Sequence, residues 1–243
     1  MSIPTSAHTL KKFDEELSTL RDLVLKMGGI VEEQVMRAVD ALERGDSDAA
    51  RAVIERDRDI DRLELRADEE VAQLLARRAP LGVDLRTVLT LSKTVNDLER
   101  IGDEAKKIAR IAVQLQGSPD DDGIPQIAEV GALSRLALSM LHGALDALVR
   151  LDLDRATRVG DEDDALDDAY KSMVATLTGF MSGHPQAVSQ AVQVMFAIKA
   201  LERIGDHSKN ISEYVFYLVE GRDVRHPKAN PAMQSPDAEP GQP

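Results

Sequence analysis

Four pairs of acidic residues stand at i, i+4 spacing, which places both carboxylates of each pair on one face of a helix. The pairs are Asp57 with Asp61, Glu99 with Asp103, Asp163 with Asp167, and Glu202 with Asp206. Like charges at this spacing destabilise a helix by about 0.2–0.5 kcal/mol, and a bound cation would reverse that effect. Oxygen ligands favour hard ions such as Mg²⁺, Ca²⁺, Mn²⁺ or iron over zinc. The pattern therefore predicts metal binding.

The acidic pairs belong to an internal repeat. Residues 98–103 and 201–206 share the string Leu-Glu-Arg-Ile-Gly-Asp. A shift of 106 residues lays Asp57 on Asp163 and Asp61 on Asp167. A single acidic pair taken alone is usually solvated surface, but repetition at equivalent places favours a shared role. The alternative is that the acids form fold-maintaining ion pairs with Arg100, Arg203 and neighbouring lysines.

The apolar residues predict the elements that carry these pairs. From about Phe13 to Leu42 they recur at steps of three and four, which indicates a long helix with one buried stripe. Turn-forming segments then separate six such stretches, three before and three after a Gly, Pro and Asp-rich segment at residues 117–123. Long helices joined by short turns run antiparallel. We therefore predict an all-α fold of two tandem, pseudo-symmetric three-helix bundles.

The domain boundaries follow from the same breaks. The first bundle is predicted over residues 8–116, a linker over residues 117–123, and the second bundle over residues 124–221. Residues 222–243 are rich in proline and poor in large apolar residues, which predicts a disordered tail.

Antiparallel packing of the second and third helices of each unit would bring the acids together. Counted from the turn at His184, Asp167 lies seventeen residues back and Glu202 eighteen residues forward, so the two are level. Because Glu99 and Glu202 each follow a leucine of the apolar stripe, we expect the four carboxylates of a unit to meet near the surface.

A mid-helix glycine costs about 1 kcal/mol relative to alanine. Each unit has one within its string, at 102 or 205, and either close helix packing or a bound group would explain it.

Composition excludes several functions. The chain has no cysteine and a net charge of −13, which disfavour thiol chemistry and nucleic-acid binding. No basic segment followed by an apolar stretch occurs in the first thirty residues, and no run of eighteen apolar residues occurs anywhere, so we expect a cytoplasmic protein. No Walker A loop, dinucleotide fingerprint or zincin motif is present.

His207 follows Asp206, but its counterpart in the first unit is Glu104, so we predict a surface residue and not a ligand.

The duplicated string, the acidic pair before each copy and the closing segment at residues 213–221 together resemble the PhoU family of phosphate-specific transport accessory proteins. The resemblance covers about residues 8–226. It implies a homodimer of tandem bundles that binds metal ions through all eight paired acids. The ions would be Fe, Mn, Mg or Zn. It further implies a negative regulator of phosphate uptake and starvation signalling. Such a regulator would connect the phosphate transporter ATPase to a sensor histidine kinase, reaching the membrane only through these partners.

Two other functions use the same residues. A metal-dependent phosphoesterase would employ the carboxylate clusters in catalysis, but it would usually add a His, Lys or Arg aimed at the reacting centre. A metal store or scaffold would bind the ions without a signalling partner. The absence of a recognisable catalytic motif favours a protein that is not an enzyme.

Overall fold

The computed structural model describes residues 5–116 and 127–225. Within these ranges the chain forms six α-helices, which are α1 (Thr5–Arg44), α2 (Ser47–Arg78), α3 (Gly82–Leu115), α4 (Ile127–Arg150), α5 (Leu153–Gly183) and α6 (Val188–Glu220). A one-turn 3₁₀ helix, Pro185–Ala187, precedes α6, and no strand occurs in the described part of the chain. The prediction of an all-α fold is confirmed. The predicted linker at residues 117–123 and the tail from residue 226 lie outside the described residues.

The duplication extends to the turns that join the first two helices of each unit. Asp46 caps α2 by accepting hydrogen bonds from the backbone N–H groups of Asp48 and Ala49. Its counterpart Asp152 caps α5 by accepting one from the backbone N–H of Arg155. The residue before each cap has a positive φ, +65° at Gly45 and +55° at Leu151. The same turn is therefore built twice, once with the glycine that this conformation favours and once without it.

The six helices pack as two three-helix units placed side by side. In the first unit α1 packs against α2 and α3, and in the second α4 packs against α5 and α6. Two seams join the units, because α3 also packs on α6 and α1 also packs on α4. The buried apolar side chains form one continuous cluster that runs through both units and both seams. The predicted pair of tandem bundles is confirmed, and the bundles share one core.

Helix α4 is the most apolar of the six. Its segment Glu129–Arg150 is long and apolar enough to cross a membrane by length and composition, and half of that stretch is buried. It packs against α1, α5 and α6. A core helix enclosed by neighbours meets the same criteria, so the composition of α4 is explained by its place in the core.

The α3–α6 seam contains two buried acids, Asp97 and Glu104. On one side Asp97 accepts hydrogen bonds from the Tyr214 hydroxyl (2.7 Å) and the Asn210 side-chain amide (3.3 Å), and its Oδ1 lies 2.8 Å from Nδ1 of His207. On the other side Glu104, which is 3% exposed, pairs with Arg203 across the seam at 3.1 Å. The prediction that His207 is a surface residue is wrong, because its side chain is only 16% exposed and faces Asp97.

Candidate metal-binding clusters

The paired acids of the first unit lie on the facing helices α2 and α3, as the repeat predicted. Asp57 on α2 is 3% exposed and accepts a short hydrogen bond from Lys106 of α3. The same Lys106 Nζ lies 3.9 Å from Oδ1 of Asp103. Hydrogen bonding to Asp57 raises the pKa of Lys106, so the lysine stays charged. One ammonium group thus stands between the two helices and contacts an acid from each pair.

A further acid joins this group. The pKa of Glu64 on α2 is raised by burial and by the negative charges of Asp68, Asp61 and Asp103. Burial and the charges of Asp103 and Glu64 likewise raise the pKa of Glu99. We define the first acidic cluster as Asp57, Asp61, Glu64, Glu99 and Asp103. Glu64 is absent from the predicted set, although its position three residues after Asp61 and seven after Asp57 places it on the same helical face.

The second acidic cluster consists of Asp163, Asp167, Glu202 and Asp206, on α5 and α6. Lys209 donates to Asp163 at 2.5 Å, which repeats the contact between Lys106 and Asp57 in the first unit. Desolvation, followed by the charges of Glu202 and Asp163, raises the pKa of Asp206, although the residue as a whole is exposed. Asp167 is paired at 3.7 Å with Lys171 on its own helix. Three of the four predicted residues therefore influence one another, and Asp167 is turned towards a separate lysine.

The two clusters differ in charge. Under the shift of 106 residues the counterpart of Glu64 is Tyr170, which is neutral. Lys199 lies 5.4 Å from the centre of the Tyr170 ring and donates to Glu202. Its own counterpart in the first unit is Asn96. The second cluster therefore has one carboxylate fewer than the first, and two lysines without a counterpart in the first unit, Lys171 and Lys199, contact it.

The donor chemistry of both clusters fits a hard cation, because every candidate ligand is a carboxylate oxygen. The arrangement fits less well. No group of three or more His, Asp or Glu side chains converges on a metal position among the residues that the structure describes. The expectation that all four carboxylates of a unit meet near the surface is not met at Asp57 and Asp163, which are 3% and 9% exposed and hold lysines. Whether the eight predicted acids are metal ligands stays a prediction.

The glycines of the repeated string explain how the helices approach each other. A Cβ on Gly102 would lie 2.8 Å from Cδ1 of Ile60, and one on Gly205 would lie 2.1 Å from Cδ2 of Leu166. Ile60 and Leu166 are equivalent residues of α2 and α5, and both are buried. The absent side chain at each glycine lets the second helix of the unit pack close to the third. This packing sets the spacing between the helices that carry the acids.

The fold and its clusters define a duplicated all-α protein with one acidic cluster on the facing helices of each unit. The PhoU domain family matches residues 24–112 and 130–215, which is most of both units. The chain belongs to the PhoU family. The resemblance inferred from the repeated strings is confirmed.

Several relatives extend this match over nearly the whole chain. A phosphate-specific transport system accessory protein PhoU homolog of Pseudomonas putida is 44% identical over 220 residues, covering 90% of this chain and 85% of the relative. The phosphate-specific transport system accessory protein PhoU of Escherichia coli K12 is 37% identical over 225 residues, covering 93% of this chain and 92% of the relative. These relatives are named as accessory proteins of the phosphate-specific transport system and not as enzymes, which confirms the expectation that the chain is not an enzyme.

Solved structures give the same result for the fold. PhoU from Pseudomonas aeruginosa superposes with a TM-score of 0.82 at 43% identity, covering 86% of this chain and 100% of that one. The phosphate transport system regulatory protein PhoU from Streptococcus pneumoniae gives a TM-score of 0.80 at 29% identity, covering 87% and 99%. The tandem arrangement of the two units is thus shared with solved members of the family.

Proposed function

We propose that this chain is a negative regulator of phosphate uptake and of phosphate-starvation signalling. It acts as an adaptor between the phosphate transporter ATPase and a sensor histidine kinase. The observation that carries the proposal is the match, over 87–93% of this chain, to accessory and regulatory proteins of phosphate transport. A role in phosphate regulation follows from the family, and the two named partners are the finer part of the proposal.

The geometry of the acidic clusters supports an adaptor more than a catalyst. Asp57 and Asp163 are each neutralised by a lysine, Lys106 or Lys209. A hydrolytic site needs carboxylates free to hold an ion or activate water, together with a group aimed at the reacting atom. Buried acids tied to lysines instead hold helices together. The proposal also includes a cytoplasmic location and a homodimer that reaches the membrane through its partners, both as the family resemblance implies.

Metal binding is part of the proposal. The residues that would hold the ions are the predicted acids of the two clusters, with Glu64 added in the first. Burial and neighbouring negative charges raise the pKa values of Glu64, Glu99 and Asp206, which means that they disfavour the ionised carboxylates. Bound iron, Mn²⁺, Mg²⁺ or Zn²⁺ would supply the positive charge that stabilises the ionised form.

Deleting the gene and measuring alkaline phosphatase in phosphate-rich medium tests the regulatory role. We expect high phosphatase activity in the deletion strain and restoration of low activity by a plasmid copy of the gene. Low activity in the deletion strain would contradict repression. Pull-down of the transporter ATPase and of the kinase by the purified protein tests the two partners separately.

The phosphoesterase alternative has a direct assay. Metal-loaded wild-type protein and the Glu99→Ala variant are compared on a phosphomonoester substrate. The adaptor proposal expects no turnover by either protein. Turnover by the wild type that Glu99→Ala abolishes would reject the adaptor in favour of the enzyme.

A further inference from the structure

A basic groove runs along the α3–α6 seam of this acidic protein. It has a volume of about 370 Å³ and is lined from both helices. The lining residues that matter here are Lys107 and Arg110 on α3, and Phe196, Lys199 and Arg203 on α6. We call this the basic groove. Its four cations stand out because the chain carries a net charge of −13.

The charge of the basic groove is only partly neutralised from within. Among the described residues Glu104 is the one acid in its lining, and it is buried beneath the groove, where Lys107 (2.7 Å) and Arg203 (3.1 Å) both contact it. Lys199 is paired with Glu202, which lies just outside the lining. Arg110 is exposed and is the one groove cation that forms no ion pair within the described part of the chain. The groove therefore presents an excess of positive charge to any approaching group.

An apolar ring lies among these cations. Phe196 is 60% exposed, although it is a large aromatic residue on a helix whose other face is in the core. It lines the groove together with Ile111 and Ala200. An exposed aromatic ring bordered by cations offers both apolar contact area and electrostatic attraction.

The pseudo-symmetric counterpart of the groove is already covered by protein. A shift of 103 residues lays Ile111 on Tyr214 and Gln114 on Tyr217, and lays Lys93 on Phe196. At that end Lys93 lies over both tyrosine rings, at 5.6 and 5.4 Å from their centres. Arg225, beyond the end of α6, lies 5.3 Å from the centre of the Tyr214 ring. The chain itself covers one end of the seam, while the equivalent surface at the basic groove is open in the described structure.

We propose that the basic groove is a docking surface for an acidic, amphipathic segment of a partner protein. One apolar side chain of the segment would rest on Phe196, with carboxylates on either side. Lys107 and Arg110 are one turn apart on α3, as are Lys199 and Arg203 on α6, so the groove presents two rows of cations. Ten residues of helix on each side give it a length of about 15 Å. Glu104 already occupies the point at which Lys107 and Arg203 converge, where a small anion would otherwise bind. Arg110 and Lys199 lie one turn away on α3 and α6, and this spread fits carboxylates spaced along a chain.

The inference rests on the proposed function only in expecting a protein partner, and binding in vitro tests it independently of the phosphatase assay. The probe is a synthetic, fluorescently labelled helical peptide with glutamate pairs at i, i+4 around a central leucine. Its binding to the protein is measured by fluorescence anisotropy. We expect Arg110→Glu and Phe196→Ser each to weaken binding by about tenfold or more, the loss that follows from 1.4 kcal/mol. Arg51→Glu and Leu65→Ser are matched controls, because both residues are exposed on α2, away from the groove.

Three outcomes would overturn the proposal. The first is no binding of the peptide, or equal weakening by the groove variants and the α2 controls. The second is a change in oligomeric state on Arg110→Glu, measured by light scattering, which would make a second copy of this chain the occupant. The third is binding only after Asp120, Asp121 and Asp122 are all changed to Asn, which would make the chain's own acidic run the occupant.

Discussion

The hydroxyl of Tyr214 on α6 donates a hydrogen bond to Oδ2 of Asp97 on α3 at 2.7 Å, across the seam between the two units. Burial and the neighbouring Asp97 carboxylate raise the pKa of Tyr214, so its hydroxyl keeps the proton that it donates. His207 and Asn210 contact the other oxygen of the same carboxylate. One buried acid of the first unit therefore holds three side chains of the second.

Removing this hydroxyl should weaken the seam. Tyr214→Phe is expected to lower the free energy of unfolding by about 1.5–3 kcal/mol, the range for a hydrogen bond to a charged group. Urea denaturation followed by circular dichroism measures the change. Tyr217→Phe is the control, because the Tyr217 hydroxyl has no hydrogen bond among the described residues and should change stability little. Equal losses in the two variants would show that the contact with Asp97 contributes nothing specific.

The glycine in the second string should resist substitution. In Gly205→Ala the new methyl group would lie 2.1 Å from Cδ2 of Leu166, a side chain that is 1% exposed and cannot move aside freely. We expect a loss of about 1–3 kcal/mol of stability from overpacking. Gly160→Ala on α5 is the matched control, because no atom would lie within 4 Å of the methyl group added there and alanine is the better helix former. Stabilisation by both substitutions would contradict the close packing of α5 on α6.

The ion pair between Glu16 and Arg78 should make stability depend on pH. Two hydrogen bonds from Arg78, at 2.8 and 2.9 Å, lower the pKa of Glu16 in the folded protein. A lowered folded-state pKa stabilises the protein above the unfolded-state pKa, and the stabilisation is lost as the pH falls through the folded-state pKa. Glu16→Gln should therefore lower the Tm at pH 7, and its difference from the wild type should shrink on acidification below about pH 4.5.

Thermal unfolding across a pH series tests this dependence. Glu15→Gln is the control, because Glu15 is exposed on α1 and forms no ion pair within the described ranges. A Tm difference for Glu16→Gln that stays constant from pH 7 to pH 3 would contradict the assignment.

Metal binding should favour the first acidic cluster. This cluster includes Glu64, whereas the second has Tyr170 at the equivalent position and Lys199 beside Glu202. We expect Mn²⁺ added to metal-free protein to raise the Tm, by an amount that corresponds to about 2.7 kcal/mol at a hundred times Kd. Calorimetric titration should show weaker binding for Glu64→Gln and for Glu99→Gln, with a smaller change for Asp206→Asn.

Glu55→Gln controls for net charge, because Glu55 is an exposed acid of α2 without an ion pair in the described structure. A chelator should reverse the rise in Tm. Equal affinity in the wild type and in Glu99→Gln would remove the first cluster from the proposal.

The sequence allowed the helices and their duplication to be predicted, because both depend on local patterns. The apolar spacing along α1 and the repeated Leu-Glu-Arg-Ile-Gly-Asp string lie within single helices. The acidic pairs were found for the same reason. Local spacing also contains the signal for Glu64, which lies four residues before Asp68. A search for pairs repeated in both units misses it, because its counterpart is Tyr170.

Contacts between helices could not be predicted in the same way. Lys106 is three residues from Asp103, yet its strongest contact is with Asp57 on another helix. His207 is held by Asp97, a residue 110 positions earlier that lies opposite it only because α3 packs on α6. The basic groove likewise combines residues from both helices. Periodicity fixes which face of a helix is buried but not which residue of another helix meets it.

The continuous core has a consequence for how the protein folds. Leu145 of α4 lies directly over Gly28 of α1, so that even a Cβ on that glycine would come within 2.7 Å of it. Together with the α3–α6 seam, this contact leaves neither unit with a complete apolar interior of its own. We therefore expect the duplicated halves to unfold together in one cooperative transition, and a half produced alone to expose the surface that its twin now covers.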